Sequence, residues 1–565
     1  MMDAGYRLRT IEAIAATRLS LNEAVFSWCV RNVQRDLARN ALESALCWSL
    51  LAAKSAVHHG FGWMVSPELE SALLAVASQL PHPEQARGTS SASVRWLHVM
   101  DRAYSIGGHT ALVHRWMKLD PCGGRHSVLL LSNRGTLDPR LVQATRATGG
   151  AVNAFAPDTP LMECAIRLRE EAWKHADRVV LHVHPWSVVP VVALGIPGGP
   201  PVILLNHLSQ KFWLGGSVSD LVLNLRDSAL EWSVAYRGIT RNAMLPIPIS
   251  PWVRDRQSST MNETRQAARR MLGIPSEATV LLTIGTAYKY SPLPGLDFLD
   301  AATAILATCP QAYVVAVGPC EDARWRGRRE STSQRLLAVG PQHDLTVFHE
   351  AADIYLEGFP VGSPTALLEV GLLGIPCVRA PRNVRPPFAA DGIALSGVRQ
   401  PSDVADYVRA AVVLVENEDE RQLQGSALTR AIQADHTEAH WSDYVRKAES
   451  ALPERHGIYS LTGAAPLSRP LRDFSVALST LGHTEDTLSY TFRAAVELGL
   501  RVRVDASLTK ALLSRCLFSD PRLLCRRGIL VALAESITGH TVMNTVRRAR
   551  QQLAPGATES ERTHS

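Results

Sequence analysis

The sequence contains no uninterrupted apolar run of about 18 residues, which excludes a membrane-spanning helix of ordinary length. Its opening residues break every apolar stretch with charge, so no signal-peptide core is visible and a cytoplasmic location is expected. Nine cysteines occur, at 29, 47, 122, 164, 309, 320, 377, 516 and 525, yet no two form a CxxC pair. That spacing excludes a zinc ribbon and gives no disulfide framework; buried free thiols in a reducing compartment are expected. Strong charge of one sign is missing too: 59 basic against 53 acidic residues leave a net charge of +6. So mild a surplus suits anionic small molecules, or at most peripheral association with an acidic membrane surface, and points to no nucleic-acid partner. No repeat of fixed period is present, so helices near the N-terminus are expected to cap a neighbouring domain rather than build a repeat array.

What is present is the composition of a soluble globular protein, 46% apolar and 20% charged, and 565 residues exceed one core. Residues 1–88 read as a helical cap. One of its helices has a marked start: Ser66 as cap, Pro67 at the first helical position, Glu68 near the positive end of the dipole. After a Pro- and Ser-rich linker, β-rich runs at 94–100, 127–131, 178–183, 201–205 and 220–224 alternate with helical stretches. This alternation marks a parallel sheet covered on both faces, giving an α/β domain over 94–250. A second series spans 254–450, opening with a charged helix at 261–272. Its strands are expected at 279–284, 312–317, 345–348, 354–356 and 375–378. Residues 401–450 read as helical, a further helical region covers 460–550, and the polar tail 555–565 is expected to be disordered.

The most informative segment runs from Asp353 to Val378 and reads as strand, glycine-rich turn, helix, stop, strand. Gly362 lets the backbone pass close to a ligand, Ser363 can cap, Pro364 takes the first helical position, and Thr365 places a hydroxyl in the first turn. Gly374 and Pro376 end the helix. The first-turn amides then face the crevice at the strand ends, a site that favours a diphosphate. Glu369, one turn on, is placed to accept hydrogen bonds from ribose hydroxyls. The plainer alternative is an ordinary strand-to-helix connection.

Pro360-Val-Gly-Ser-Pro-Thr365 with the later Glu369 resembles the donor-binding element of GT-B glycosyltransferases, and within them the protein O-linked N-acetylglucosamine transferases and their bacterial relatives. The turn Tyr288-Lys-Tyr-Ser-Pro292 resembles another element of that family, whose lysine neutralises the donor phosphates. The resemblance covers roughly residues 94–450 and implies two facing Rossmann-like domains. It implies a bacterial-type hexosyltransferase that takes a nucleotide-sugar donor, a UDP-sugar by analogy, and passes the sugar to a hydroxyl acceptor. It further implies phosphate contacts from Lys289 and Thr365, a ribose contact from Glu369, and donor-side roles for Gly107, Gly108, Gly362, Ser363 and Pro364. Lys289 is the leading functional residue, because a compact cation stabilises a leaving nucleoside diphosphate; a solvated loop lysine is the plain alternative. Retaining members carry two glutamates eight positions apart. Eight before Glu369 stands Val361, and Glu357 is twelve away, so the inverting branch is favoured.

In the first α/β unit, Gly107-Gly108-His109 follows the first strand and puts a tight turn at the crevice. In the resembling family a histidine on this loop lies near the reacting centre, so His109 is either the base that takes the acceptor proton or a helix-capping or phosphate-binding residue. Alternation puts His182 and His184 on one side of their strand, and with His207 they form either a metal site or acceptor contacts. The architecture implied needs no metal, and no carboxylate stands at ligand spacing beside them, so neither metal nor cofactor is expected. Trp213, with Phe212, belongs to an aromatic, glycine-bearing loop suited either to stacking on a sugar or covering the cleft, or simply to packing, and Asp220 and Arg226 follow as further cleft residues. The stretch 324–329 is a basic loop, more suited to solvent than to binding. Two other readings use the same phosphate site: a nucleotide-sugar epimerase or hydrolase, and a non-catalytic interaction protein that binds a nucleotide.

Overall fold

The structure, a computed structural model, describes residues 10–83, 93–104, 108–133, 135, 137–249, 258–481, 486–500 and 508. Gly107, most of the expected helical region 460–550 and the tail 555–565 lie outside the described residues.

Strands rich in Val, Ile and Leu on both faces have to be covered on both faces, and they build two parallel sheets here. The first contains β1 (Arg95–Met100), β2 (Arg125–Leu130), β3 (Val152–Ala154), β4 (Arg178–His182), β5 (Val202–Asn206), β6 (Leu221–Asn224) and β7 (Asn242–Met244), in the order β3-β2-β1-β4-β5-β6-β7. The second contains β8 (Thr279–Ile284), β9 (Ala312–Val317), β10 (Leu336–Ala338), β11 (Ile354–Leu356) and β12 (Cys377–Val378), in the order β10-β9-β8-β11-β12. Every described pairing within them is parallel. The chain therefore has two Rossmann-like domains, the GT-B architecture. In each sheet the strand order reverses beside the first strand, at β1/β4 and at β8/β11. Loops at the carboxyl ends of those strands open onto a crevice suited to a ligand.

Two local expectations fail. Residues 345–348 are not a strand: Asp344 Oδ1 accepts the Thr346 amide at 2.8 Å and starts the helix Thr346–Ala351. The basic stretch 324–329 is not a loop but part of the helix Ala323–Ser331, capped by Asp322, with Trp325 buried and Arg324, Arg328 and Arg329 paired to Asp297, Asp300 and Glu321. The strands that sequence periodicity misses, β3, β7 and β10, are three-residue edge strands: β3 and β7 each carry an asparagine, and β10 is too short to show alternation.

The helices Ile11–Leu37, Leu42–His59 and Pro67–Ala77 share one hydrophobic core with the first sheet. Two buried charges fasten this cap. Glu70 accepts the amides of Gly215, Gly216 and Ser217, and Arg169 donates to the carbonyls of Ala77, Leu80, Pro81, Val192 and Ala193. A buried charge is tolerable only when so completely bonded.

After the second domain the chain returns to the first, which the sequence does not announce. The helix Glu438–Ser450 sets Trp441 against Trp116 at 5.6 Å between ring centroids, in one apolar cluster with Trp96. Residues 456–459 then close over Asp220. Its carboxylate accepts Gly457 N and Tyr459 Oη and bonds His456 Nδ1 at 2.9, 2.7 and 2.8 Å. The two interdomain crossings also meet: Ile249 N donates to His436 O at 2.9 Å, and His436 Nδ1 lies 2.8 Å from Ile247 O.

Candidate active site

Between the two sheets lies a cavity of about 490 Å³, within the range that holds a small ligand. Both switch points open into it, so the chemistry-bearing loops of the two domains face one another.

On the second-domain wall, β8 runs into a turn of 3₁₀ type, Ala287–Tyr290. Tyr290 anchors that turn: its ring is buried against Phe298 and Trp325, and its hydroxyl bonds Thr283 Oγ1 at 2.9 Å. The neighbouring Lys289 is thereby turned toward the loop after β11, where Nζ donates to Gly362 O and Ser363 Oγ, both at 3.0 Å. Ser363 does not cap as expected; no side chain caps the helix Pro364–Gly371, and the serine hydroxyl instead receives the lysine. The positive end of that helix and the ammonium thus stand together, with Gly362, Pro364 and Thr365 on the cavity wall.

Glycine is required at 362. A Cβ there would collide with the carboxylate of Glu357, which is fixed by the amides of Ala380 and Ala390. Gly362→Ala should therefore lower stability by about 1–3 kcal/mol, the cost of overpacking a filled site, and weaken anion binding with it. Thermal unfolding beside nucleotide titration checks both. An unchanged melting temperature would show that Glu357 can retreat.

Electrostatics favour an anion. Burial and the nearby Arg226 guanidinium push the Lys289 ammonium down to about 8. Arg226, from the first domain, is itself lowered by burial, donates to Ala389 O and Ser209 Oγ, and lies 3.6 Å from Asp391. Arg226 repels the Lys289 ammonium, and a diphosphate bound between the two would relieve that repulsion. Glu357, a fully buried carboxyl raised by desolvation, lies near both as the counter-anion. Sequence reasoning passed over Glu357 because nothing local separates it from any acid at the end of an apolar strand.

On the first-domain wall, Gly108 and His109 begin the helix Gly108–Leu119 and line the cavity. His109 donates a ring N–H to the backbone carbonyl of His182, and its ring stands 4.2 Å from that of His207, nearly perpendicular. Burial first, then the charge of His184, lower its imidazole to about 4, so it is neutral across the physiological range. His184 and His207 also line the cavity. Tyr104 Oη bonds His184 Nε2 at 3.1 Å, a cleft contact the sequence did not flag.

Three expected cleft residues are elsewhere. His182 does not share a face with His184: β4 ends at His182, so strand alternation stops there, and its ring is fully buried against His98 behind the wall. Trp213 and Phe212 do not cover the cleft. Phe212 packs on Phe26 and Phe61 of the cap, while Trp213 is buried with the Arg237 guanidinium 4.7 Å over its ring. Asp220 faces away and holds the returning segment described above. Glu369 lies beside the cavity rather than on its lining, where Arg115 of the first domain reaches to 3.8 Å from it. Among the described residues, no three His, Cys, Asp or Glu side chains are grouped so as to hold a metal ion. No described helix is long and apolar enough to cross a membrane.

No protein-family model matches the sequence, and no curated protein matches it. Several solved structures are similar in shape. HepE of Anabaena, in complex with UDP and glucose, is 12% identical, with 64% of this chain and 100% of that chain covered and a TM-score of 0.46. A glycosyltransferase from Rickettsia africae is 10% identical over 64% of this chain and 99% of that one, at a TM-score of 0.48. A mutant O-GlcNAc transferase of Thermobaculum terrenum is 13% identical over 78% and 83%, at 0.45. At these scores the likeness carries no functional weight, and the fold assignment rests on the strand order itself.

Proposed function

We propose that the chain is a glycosyltransferase that binds a nucleoside-diphosphate sugar on its second domain and transfers the sugar to a hydroxyl acceptor held by the first. The observation that carries this reading is Lys289, turned by a buried tyrosine onto Gly362 and Ser363 at an uncapped helix N-terminus, with Arg226 opposite. That arrangement suits a diphosphate whose negative charge grows as the sugar leaves. The donor is a UDP-sugar by resemblance, and the missing second glutamate favours inversion. The neutral His109 is suited to take the acceptor proton. No metal enters this scheme, since two cations and a helix N-terminus serve the phosphates. A panel of nucleoside diphosphates and their sugars in thermal shift tests the donor site, because a true ligand stabilises by mass action. Donor hydrolysis with and without acceptors separates a transferase from a hydrolase. A flat panel would sink the proposal.

Thr365→Val and Glu369→Gln should each raise the apparent KM for donor about tenfold, the loss of roughly one hydrogen bond to a charged group. For Glu369 the ribose contact requires exchange of the Arg115 partner for ribose hydroxyls, so Arg115→Ala should lower the same KM. An effect of these changes on acceptor kinetics alone would place the donor elsewhere.

A further inference from the structure

Behind the first-domain wall, three buried histidines on adjacent parallel strands are joined ring to ring. His126 lies on β2, His98 on β1 and His182 on β4. The register pairs Trp96 with His126 and Met100 with His182, so the rings step diagonally across one face of the sheet. His98 Nε2 is 2.9 Å from His126 Nδ1, and His98 Nδ1 is 3.0 Å from His182 Nε2. At the far end, His126 Nε2 is 3.1 Å from Asp120 Oδ2. Trp96 stacks on His126, and Trp116 sets its edge against both His98 and His182, so the rings are held in place.

The carboxylate fixes the polarity of the row. Burial works against its charge, but bonds from His126 and the amides of Gly124 and Cys122 outweigh that and hold Asp120 below its ordinary range. An ionised carboxylate only accepts, so His126 carries its proton on Nε2 and offers Nδ1 as acceptor. A neutral imidazole has one donor and one acceptor. His98 and His182 must then also be protonated on Nε2, which leaves His182 Nδ1 a bare lone pair. That atom is buried and has no hydrogen-bond partner, and the same holds for Nε2 of His207. The His207 and His109 rings stand 5.7 and 6.3 Å from that of His182, between it and the cleft.

We propose that His182, His98, His126 and Asp120 form a relay that accepts a proton from the cleft histidines. An N–H bond of a cleft imidazolium breaks as its proton bonds to His182 Nδ1, and the N–H bond at His182 Nε2 breaks as its proton passes to His98 Nδ1. His98 Nε2 gives its proton to His126 Nδ1, and His126 Nε2 gives its own to the Asp120 carboxylate. Four transfers of one step each carry a net single proton along the row, and a cleft imidazolium and a distant carboxylate are neutralised together. The locked rings cannot flip, so the store refills by the reverse sequence. His98, His126 and Asp120 are positioning residues that act through His182. Their part in turnover rests on the transferase reading; the polarity of the row does not.

The charged and titratable groups facing the row are His109, His184 and His207 at the cleft end and Cys122, Arg446 and Glu449 beyond Asp120. Nitrogen NMR of the full chain labelled in histidine, assigned with single variants, should show all three rings as the Nε2–H tautomer at neutral pH. A ring found as Nδ1–H would overturn the relay. His98→Gln keeps both bonds, its carbonyl accepting from His182 and its amide donating to His126, but an amide cannot pass a proton. It should melt like the unaltered chain and bind donor equally well, while turnover falls about tenfold and the acid limb of the pH profile moves to lower pH. Asp120→Asn, which keeps an acceptor without the charge, should move the limb in the same direction. Unchanged turnover and pH profile in both variants would overturn the proposal. Should the unaltered chain transfer no sugar, the transferase reading fails by itself, and the tautomer spectrum decides the relay.

Discussion

Lys289→Ala should lower turnover at saturating donor by about a hundredfold to a thousandfold, the loss seen when one preorganised charge is removed from a transition state. The fold should survive, because the buried Tyr290, not the lysine, anchors the turn. Arginine at the same position should rescue poorly: a planar fork does not fit between Gly362 O and Ser363 Oγ as a compact ammonium does. Since burial and Arg226 bring the free ammonium down to about 8, nucleoside diphosphate affinity should weaken as pH rises through that value. The sign follows from the charge: above it the lysine is neutral, and the anion must supply the energy of reprotonation. The variant should lose this dependence. Near-normal turnover with saturating donor would remove Lys289 from the chemistry.

His109→Ala should cut the turnover of bound donor by about a hundredfold or more while leaving donor affinity nearly unchanged, since a base acts in the transition state. The unaltered chain should lose kcat/KM as pH falls toward about 4, well below an ordinary imidazole, because burial and His184 disfavour the charged ring. The variant should lack that limb. A phosphate-binding histidine would behave the other way, with weaker diphosphate binding and the limb kept. Calorimetry of donor binding beside the pH–rate profile separates the two. If binding collapses and turnover of bound donor does not, the base must be sought at His184 or His207, which also line the cavity.

The parts of the molecule that sequence could expose are those whose cause is local. The apolar runs of β8, β9 and β11 begin and end in the structure at the residues where their periodicity does. The Gly-Ser-Pro-Thr start of a helix was equally legible, as was a lysine in a turn between strand and proline. What could not be read depends on partners far along the chain. Asp220 looked like a cleft acid until His456 and Tyr459 came back to it, and Trp213 looked like a lid until the cap offered it a core. His98 and His126 drew no notice, since only the parallel register of three strands lines them up with His182. The stop of β4 at His182 likewise decides which histidine enters the cleft.

The meeting of the two interdomain crossings has a mechanical consequence. Two bodies joined by a single flexible thread can slide as well as turn. Joined by two threads tied together at one point they lose most of their translations, and here Trp232 and Phe474, packed against Phe388 in the second domain's core, restrain rotation as well. Here the knot is His436 against Ile247 and Ile249, and His436 and Ile247 also line the cavity. Whatever fills the cavity therefore touches the knot itself.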